Sequence, residues 1–201
     1  MPSFELERKY MADGFSVVCG IDEAGRGPLS GSVYAAAVIL PLDVEIEGLN
    51  DSKKLTPKKR EKLFDEICEK AIAYAIAYAT PEEIDEMNIL NADMLAMRRA
   101  VEALSVPPSL ALVDGNIARD FPIPAYPVIK GDAISASIAA ASILAKVARD
   151  RACLEDDRLY PEYGFAKHKG YGTPAHMQAL RTYGPCPLHR RTFLKFLDKN
   201  P

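Results

Sequence analysis

Three short apolar runs in this chain each end on a carboxylate. Phe15 to Ile21 (FSVVCGI) leads into Asp22-Glu23, Leu110 to Val113 (LALV) into Asp114-Gly115, and Tyr126 to Ile129 into Lys130-Gly131-Asp132. Such runs, bounded by turn residues, read as buried strands, the third weaker than the others. In open α/β sheets, ligands bind in the crevice beyond the carboxyl ends of the strands. Strands that run side by side would therefore gather these acids at one place.

The remaining elements fit such a sheet. Gly25, Gly27 and Pro28 form a turn, and Ser32 to Leu40 (SVYAAAVIL) returns as the second strand of a hairpin. Ala71 to Ala79 (AIAYAIAYA) alternates strictly, with alanines on one face and Ile72, Tyr74, Ile76 and Tyr78 on the other, which predicts a strand despite the alanine content. Thr56-Pro57 is an N-cap followed by a first-turn proline, so a helix should run from Pro57 to about Lys70. Thr80 caps a short helix from Pro81, and Leu90 to Leu104 reads as an amphipathic one. From Ala133 to about Cys153 the chain is helical and rich in Ala and Ser, so that helix should lie close against the sheet. Beyond Tyr160 the texture changes to Gly, Pro and Tyr. The expectation is an α/β fold, a mixed β-sheet flanked by helices, with a catalytic core over 1–160 and a C-terminal helical and loop appendage over 161–201, integrated as one domain. At 48% hydrophobic and 26% charged, 201 residues are enough to bury a core of that kind.

Several function classes are disfavoured. No apolar run approaches the ~20 residues of a membrane span, and no signal-peptide pattern opens the chain. The cysteines at 19, 68, 153 and 186 form no CxxC motif and no zinc spacing, which suits a reducing cytoplasm. Gly25-Arg26-Gly27 lacks the third glycine of a dinucleotide fingerprint, Ser30 lacks a nucleophile elbow, and no phosphate-binding GxxxxGK[ST] loop occurs. The histidines, 168, 176 and 189, all come late, and nothing places one beside a nucleophile.

Taken singly, each acid has a plain structural explanation. Asp132 could be a helix N-cap, Asp114 a turn initiator, and Asp22-Glu23 a solvated strand end. Gathered together they would repel one another unless a cation neutralised them, and hard divalent ions favour all-oxygen ligands. Two such ions can activate water and stabilise the leaving oxygen of a phosphodiester. Adjacent strand residues point to opposite faces, so Asp22 and Glu23 should both serve only if the strand has ended or if one contributes its carbonyl. Asp22 is expected to be the more central ligand.

The segments CGIDEAGRGPLSGSVYAAAVIL (19–40), LNDSKKLTPKKRE (49–61), VDGN (113–116), IKGDAISASIAAASILAKVARDR (129–151) and YGFAKHKGYGTPAH (163–176) together resemble bacterial ribonuclease HII, collinearly from about residue 15 to Phe193. Gly-Arg-Gly in the loop, and the short stretch before the first strand, favour this family over ribonuclease HIII. Ser30, Ser32 and Cys186 depart from its commoner residues. The resemblance implies a ribonuclease H-like sheet and an endonuclease that cuts the RNA strand of RNA–DNA hybrids. It also implies nicking 5′ of a single ribonucleotide in duplex DNA, leaving 3′-hydroxyl and 5′-phosphate ends. It implies two Mg²⁺ or Mn²⁺ ions held by Asp22, Glu23, Asp114 and Asp132, and a Gly25-Arg26-Gly27 loop whose backbone contacts the ribose 2′-hydroxyl. Tyr171 would stack under the sugar that follows the ribonucleotide; apart from the resemblance it would read as a packed aromatic. Lys53 and Lys146 would face phosphates. A monomeric, cytoplasmic enzyme of replication and repair is implied, with no clear sliding-clamp motif between Arg191 and Pro201.

Lys53, Lys54, Lys58, Lys59 and Arg60 cluster at a helix start, where cations oppose the dipole, and this favours phosphate binding over a merely solvated face. The net charge of −3 conceals an asymmetry, since residues 167–201 hold seven Lys/Arg against Asp198 alone. Two other readings remain open: a hybrid- or junction-binding module without activity, and a Mg²⁺-dependent hydrolase of small phosphoesters.

Overall fold

In the computed structural model, which describes residues 2–196, the first apolar run and the returning Ser32–Leu40 segment form an antiparallel pair, β1 (Val18–Ala24) and β2 (Val33–Ile39). The alternating alanine segment is β3 (Ala73–Ala79), antiparallel on the outer side of β2. It starts two residues later than the alternation because Ala71 still closes the preceding helix, its amide bonding the carbonyl of Ile67. β4 (Leu110–Asp114) lies parallel to β1, and β5 (Ala125–Val128) parallel to β4, giving the order β3-β2-β1-β4-β5.

Helices cover both faces. α1 (Glu5–Ala12) was not marked by any sequence signal; its buried Glu7 accepts hydrogen bonds from the Ser135 hydroxyl and the Ser137 amide. α2 (Pro57–Lys70) starts where Thr56-Pro57 places it, with the Thr56 hydroxyl accepting from the Lys59 amide. α3 (Pro81–Met87) carries a complete capping box between Thr80 and Glu83, and α4 (Ile89–Glu102) follows. α4 packs Ala96 and Met97 on the β1–β2 face that carries Ile21, Val33 and Ala35. On the opposite face α5 (Ala136–Leu159) and α2 bury Ala140, Ile143, Leu144, Leu63 and Ile67 against Ala36 and Val38.

The small residues of α5 allow the close approach expected of them. A Cβ on Gly20 would stand 2.2 Å from the backbone carbon of Ser137, so only glycine fits the strand there. The helix begins later than Ala133 because Ser135 is its N-cap, and it runs past Cys153 to Leu159 because no Gly or Pro interrupts it.

The C-terminal part contains α6 (Phe165–His168) and α7 (Pro174–Tyr183), packed on a small core of Tyr163, Phe165, Leu180, Cys186 and Leu194. The Leu29 amide donates to Gly170, the Gly31 amide to Leu188, and the Arg190 amide to Leu29, which binds this part to the β1–β2 turn. Among the described residues no helix is long and apolar enough to cross a membrane, and the four cysteines are unpaired. The absence of a clamp motif was read over Arg191–Pro201, of which 197–201 lie outside the described residues.

Candidate active site

Parallel pairing puts Ile21 beside Val113 and Asp114 beside Val128, so Asp22 and Asp114 follow matched residues on neighbouring strands. Asp22, Glu23 and Asp114 each offer a carboxylate oxygen within 4.8 Å of the others. Unlike the expectation, this happens while β1 continues to Ala24. The pairing of β1 with β4 stops at Ile21 and Val113, so from Asp22 onward β1 is paired only with β2. Asp22 turns to the α5 side, near Ser142, and Glu23 turns to the α4 side, near Asp93. The two acids obey the opposite-face rule and still bring their oxygens together at the free edge.

The electrostatics match that crowding. Burial, then the charges of Glu23 and Asp114, hold the Asp22 carboxyl well above its ordinary range, against the hydrogen bond from the Glu23 amide. Asp22 is the most enclosed of the three. Asp132 sits nearby in a single 3-10 turn, Gly131–Ala133, and does not cap α5. Burial and the neighbouring Asp114 and Asp51 raise its pKa as well. Asp132 stands outside the tight group of three, but the turn that carries it is tied to that group, because the Gly131 amide donates to Asp114 Oδ1 at 2.6 Å. An all-carboxylate set in which burial and neighbouring acids raise Asp22 and Asp132 fits a divalent cation.

The Gly25-Arg26-Gly27 turn adjoins the acids. Arg26 reaches Glu23 at 3.7 Å and Asp93 at 3.5 Å. Beneath the turn lies Arg190, fully buried. It donates from Nη2 to the Gly25 carbonyl at 2.6 Å, from Nη1 to Arg26 at 3.0 Å and Pro28 at 2.8 Å, and from Nε to Gly31 at 2.9 Å. Burial and the charge of Arg149 bring its pKa down to about 9, still protonated at neutral pH. In a trans peptide the carbonyl and the next amide point opposite ways. With the Gly25 and Arg26 carbonyls held on Arg190, the amides of Arg26 and Gly27 face outward.

Tyr171 is brought to this turn. Its ring is half exposed, Cε1 lies 3.5 Å from where a Gly27 Cβ would be, and the Arg149 guanidinium sits 5.9 Å from its centroid. It is therefore not a core aromatic. Gly25 needs to be glycine for an internal reason: φ is +105°, and a Cβ would meet Arg149 Nε at 2.2 Å. The buried His176 and His189, with the half-buried His168, form a support below. His168 stacks on His176 at 4.4 Å, His176 Nδ1 bonds the Tyr171 carbonyl, and His176 Nε2 meets His189 Nε2 at 3.0 Å.

The basic residues divide. Lys53 is exposed with Nζ 3.9 Å from Asp132, and the surrounding acids raise its pKa against the effect of burial. Arg60 departs from the expected surface cluster: it is buried, donating to the Ser52 and Leu55 carbonyls and facing Asp150 at 3.5 Å. Lys146 pairs with Asp150 on the wall of a cleft of about 410 Å³ that Arg151 and Lys169 also line.

Sequence reading missed Arg190, Arg149 as a support, and Asp93. Arg190 stands in a His-Arg-Arg run with no local mark to separate it from Arg191. Asp93 did carry a signal, being an acid on the helical face shared by Ala92, Ala96, Met97 and Ala100.

A ribonuclease H-like mixed sheet with carboxylates collected at its parallel strand ends defines a nuclease of the hydrolase class. The family model Ribonuclease HII matches residues 19–196, and the chain belongs to that family. It is similar to the ribonuclease HII of Caldicellulosiruptor saccharolyticus, 55% identical over 192 residues that cover 96% of this chain and 94% of that protein. The ribonuclease HII of Idiomarina loihiensis is 59% identical over 177 residues, covering 88% and 95%. Among solved structures, ribonuclease H2 from Pyrococcus horikoshii OT3 superposes with a TM-score of 0.72 at 31% identity, over 88% of this chain and 93% of that one. The chain is thus a ribonuclease H, a hydrolase acting on RNA–DNA hybrids.

Proposed function

We propose that this enzyme, besides cutting the RNA strand of hybrids, nicks duplex DNA 5′ of a single embedded ribonucleotide, leaving 3′-hydroxyl and 5′-phosphate ends. The observation that carries this reading is the half-exposed Tyr171 ring against Gly27, in the turn whose Arg26 reaches Glu23 of the acid cluster. A lone ribonucleotide differs from its neighbours by one 2′-hydroxyl, so a site that selects it must meet that hydroxyl and the adjoining sugar together. The outward amides of Arg26 and Gly27 suit the hydroxyl, and the face of Tyr171 suits the following deoxyribose.

Asp22, Glu23, Asp114 and Asp132 would hold two divalent cations, Mg²⁺ or Mn²⁺. Such ions, when bound, acidify water and neutralise charge on the phosphodiester. The protein's own part is to place the phosphate 5′ of the recognised ribose over these acids. Lys53 and Lys146 contact phosphates without reading bases, as an enzyme indifferent to sequence requires. Residues 161–201 serve as the substrate-binding part of a single catalytic domain, and a monomer in the cytoplasm acting in replication and repair fits the reading.

The test is cleavage of a DNA duplex carrying one ribonucleotide, mapped to the nucleotide with Mg²⁺, Mn²⁺ and EDTA. One metal-dependent nick 5′ of the ribonucleotide is expected. Cleavage of long hybrids alone would refute the single-ribonucleotide activity.

A further inference from the structure

We infer that Asp93 is a positioning residue that anchors the Arg26 guanidinium, and through it the Gly25–Gly27 turn, while Glu23 is engaged at the acid cluster. The inference rests on the proposed role of that turn.

Asp93 lies on α4 and is fully buried, and neither of its side-chain oxygens has a hydrogen-bond partner among the described residues. A buried carboxyl that receives no hydrogen bond costs stability, so packing alone does not favour an acid here. The facing group is Arg26, whose Nε lies 3.5 Å from Asp93 Oδ2, while its Nη1 lies 3.7 Å from Glu23 Oε1. One guanidinium is thus shared between two carboxylates. Glu23 belongs to the group of three whose oxygens converge, and any cation there competes with Arg26 for it. Asp93 does not belong to that group. It is the partner that stays with Arg26 when Glu23 is drawn away.

Burial, reinforced by the charge of Glu23, raises the Asp93 pKa to about 8 against the pull of Arg26. The anchoring does not depend on the charge state, since a protonated carboxyl still has an oxygen that can accept from the Arg26 Nε–H. This separates two substitutions. Asp93→Ala removes the acceptor, whereas Asp93→Asn keeps an amide oxygen of nearly the same shape.

The experiment measures the steady-state rates on the single-ribonucleotide duplex, the unfolding midpoint, and the exchange protection of the Arg26 Nε–H by ¹⁵N NMR without metal. These are compared in the parent, Asp93→Ala, Asp93→Asn, Arg26→Ala and the double variant Asp93→Ala/Arg26→Ala. Asp93→Ala should lose Nε–H protection and lower kcat about tenfold with KM within about twofold, at an unchanged or higher midpoint; these sizes follow the effect of small displacements of a positioning group. Asp93→Asn should restore both readouts to within about threefold of the parent, and the double variant should be no slower than Arg26→Ala. Unchanged kcat and protection in Asp93→Ala, or a full further tenfold loss on top of Arg26→Ala, would overturn the assignment. A parent that protects the Nε–H but leaves the single ribonucleotide uncut would instead fault the proposed activity and leave the anchor standing.

Discussion

The acid cluster and the Gly25–Gly31 turn beside it are built in opposite ways. The acids come from strand ends, where the register of β1 against β4 aligns Asp22 with Asp114 and the backbone does the positioning. The turn takes its shape from two buried cations, Arg190 holding four carbonyls and Arg149 filling the space a Gly25 side chain would need. In the first region, like charges are collected at a cost that a cation relieves. In the second, charge is spent on neutral backbone, and the turn is correct only while the C-terminal part is folded. Chemistry and recognition therefore fail differently: loss of an acid should silence the enzyme without unfolding it, and loss of a supporting arginine should first loosen the fold.

The largest expected effect falls on the acids. Asp22→Asn or Asp114→Asn should lower cleavage of hybrid by at least about 100-fold while duplex binding survives. Asp22→Asn should unfold no earlier than the parent in metal-free buffer, because it removes a buried charge. Turnover, duplex affinity and thermal unfolding on one preparation check this. Full activity in either variant would remove that acid from the site.

Arg190→Lys probes the other region. It retains a charge, but a lysine ammonium cannot reproduce the fork that serves the carbonyls of Gly25, Arg26, Pro28 and Gly31. With hydrogen bonds to charged groups contributing about 1.5–3 kcal/mol each, a loss of about 3–5 kcal/mol is expected by denaturant unfolding. Nicking at a single ribonucleotide should fall with it. A variant as stable as the parent would mean that the turn holds its shape without the arginine.

These two regions also differ in how far the sequence discloses them. Strand-closing acids are local patterns, so Asp22, Asp114 and Asp132 could be picked out as a group from β-runs and turn residues. What stayed hidden was how Glu23 could join them within a continuing strand, because that depends on where the pairing of β1 with β4 stops. The N-cap alternative for Asp132 could be settled only by finding Ser135 in that position. Arg190 belongs to the basic stretch 167–201, where composition alone does not separate a surface cation from a buried one. Its burial follows from the path of the chain from Leu188 back under Leu29, a tertiary fact with no trace in a His-Arg-Arg run. Tyr171 was legible only through the family resemblance, since a tyrosine between two glycines is by itself a common turn.

Acid should separate the regions as well. Burial, and then His176, lower the His189 pKa to about 4, and burial lowers that of His176. A depressed histidine binds its proton more readily in the unfolded chain, so stability is lost as pH falls from about 6.5 toward about 4. His189 alone accounts for about 3 kcal/mol of that loss. The raised Asp22 has the opposite sign, since without cation it opposes folding as pH rises above about 4. Unfolding midpoints between pH 4 and 7 should fall on the acid side in the parent and flatten in His189→Gln if that variant keeps the support. An unchanged slope would locate the acid sensitivity elsewhere.

The smallest expected effect on stability is the most diagnostic of recognition. Gly25 and Gly27 stand two residues apart in one turn, and only Gly25 is required by the fold. Gly25→Ala places a Cβ against Arg149 at a φ that L side chains rarely adopt, and should cost about 1–3 kcal/mol. At Gly27 an added Cβ would make only an ordinary contact with Tyr171 at 3.5 Å, so Gly27→Ala should change stability by less than about 0.5 kcal/mol. That methyl would nevertheless sit beside the outward Gly27 amide, where the proposed ribose must approach. Nicking of the single-ribonucleotide duplex should therefore drop about tenfold or more in a protein that unfolds like the parent, a 1 Å displacement at such a site being enough for a larger loss. If Gly27→Ala nicks at the parent rate, the ribose does not approach the turn on that side. The glycine would then be explained by Tyr171 alone.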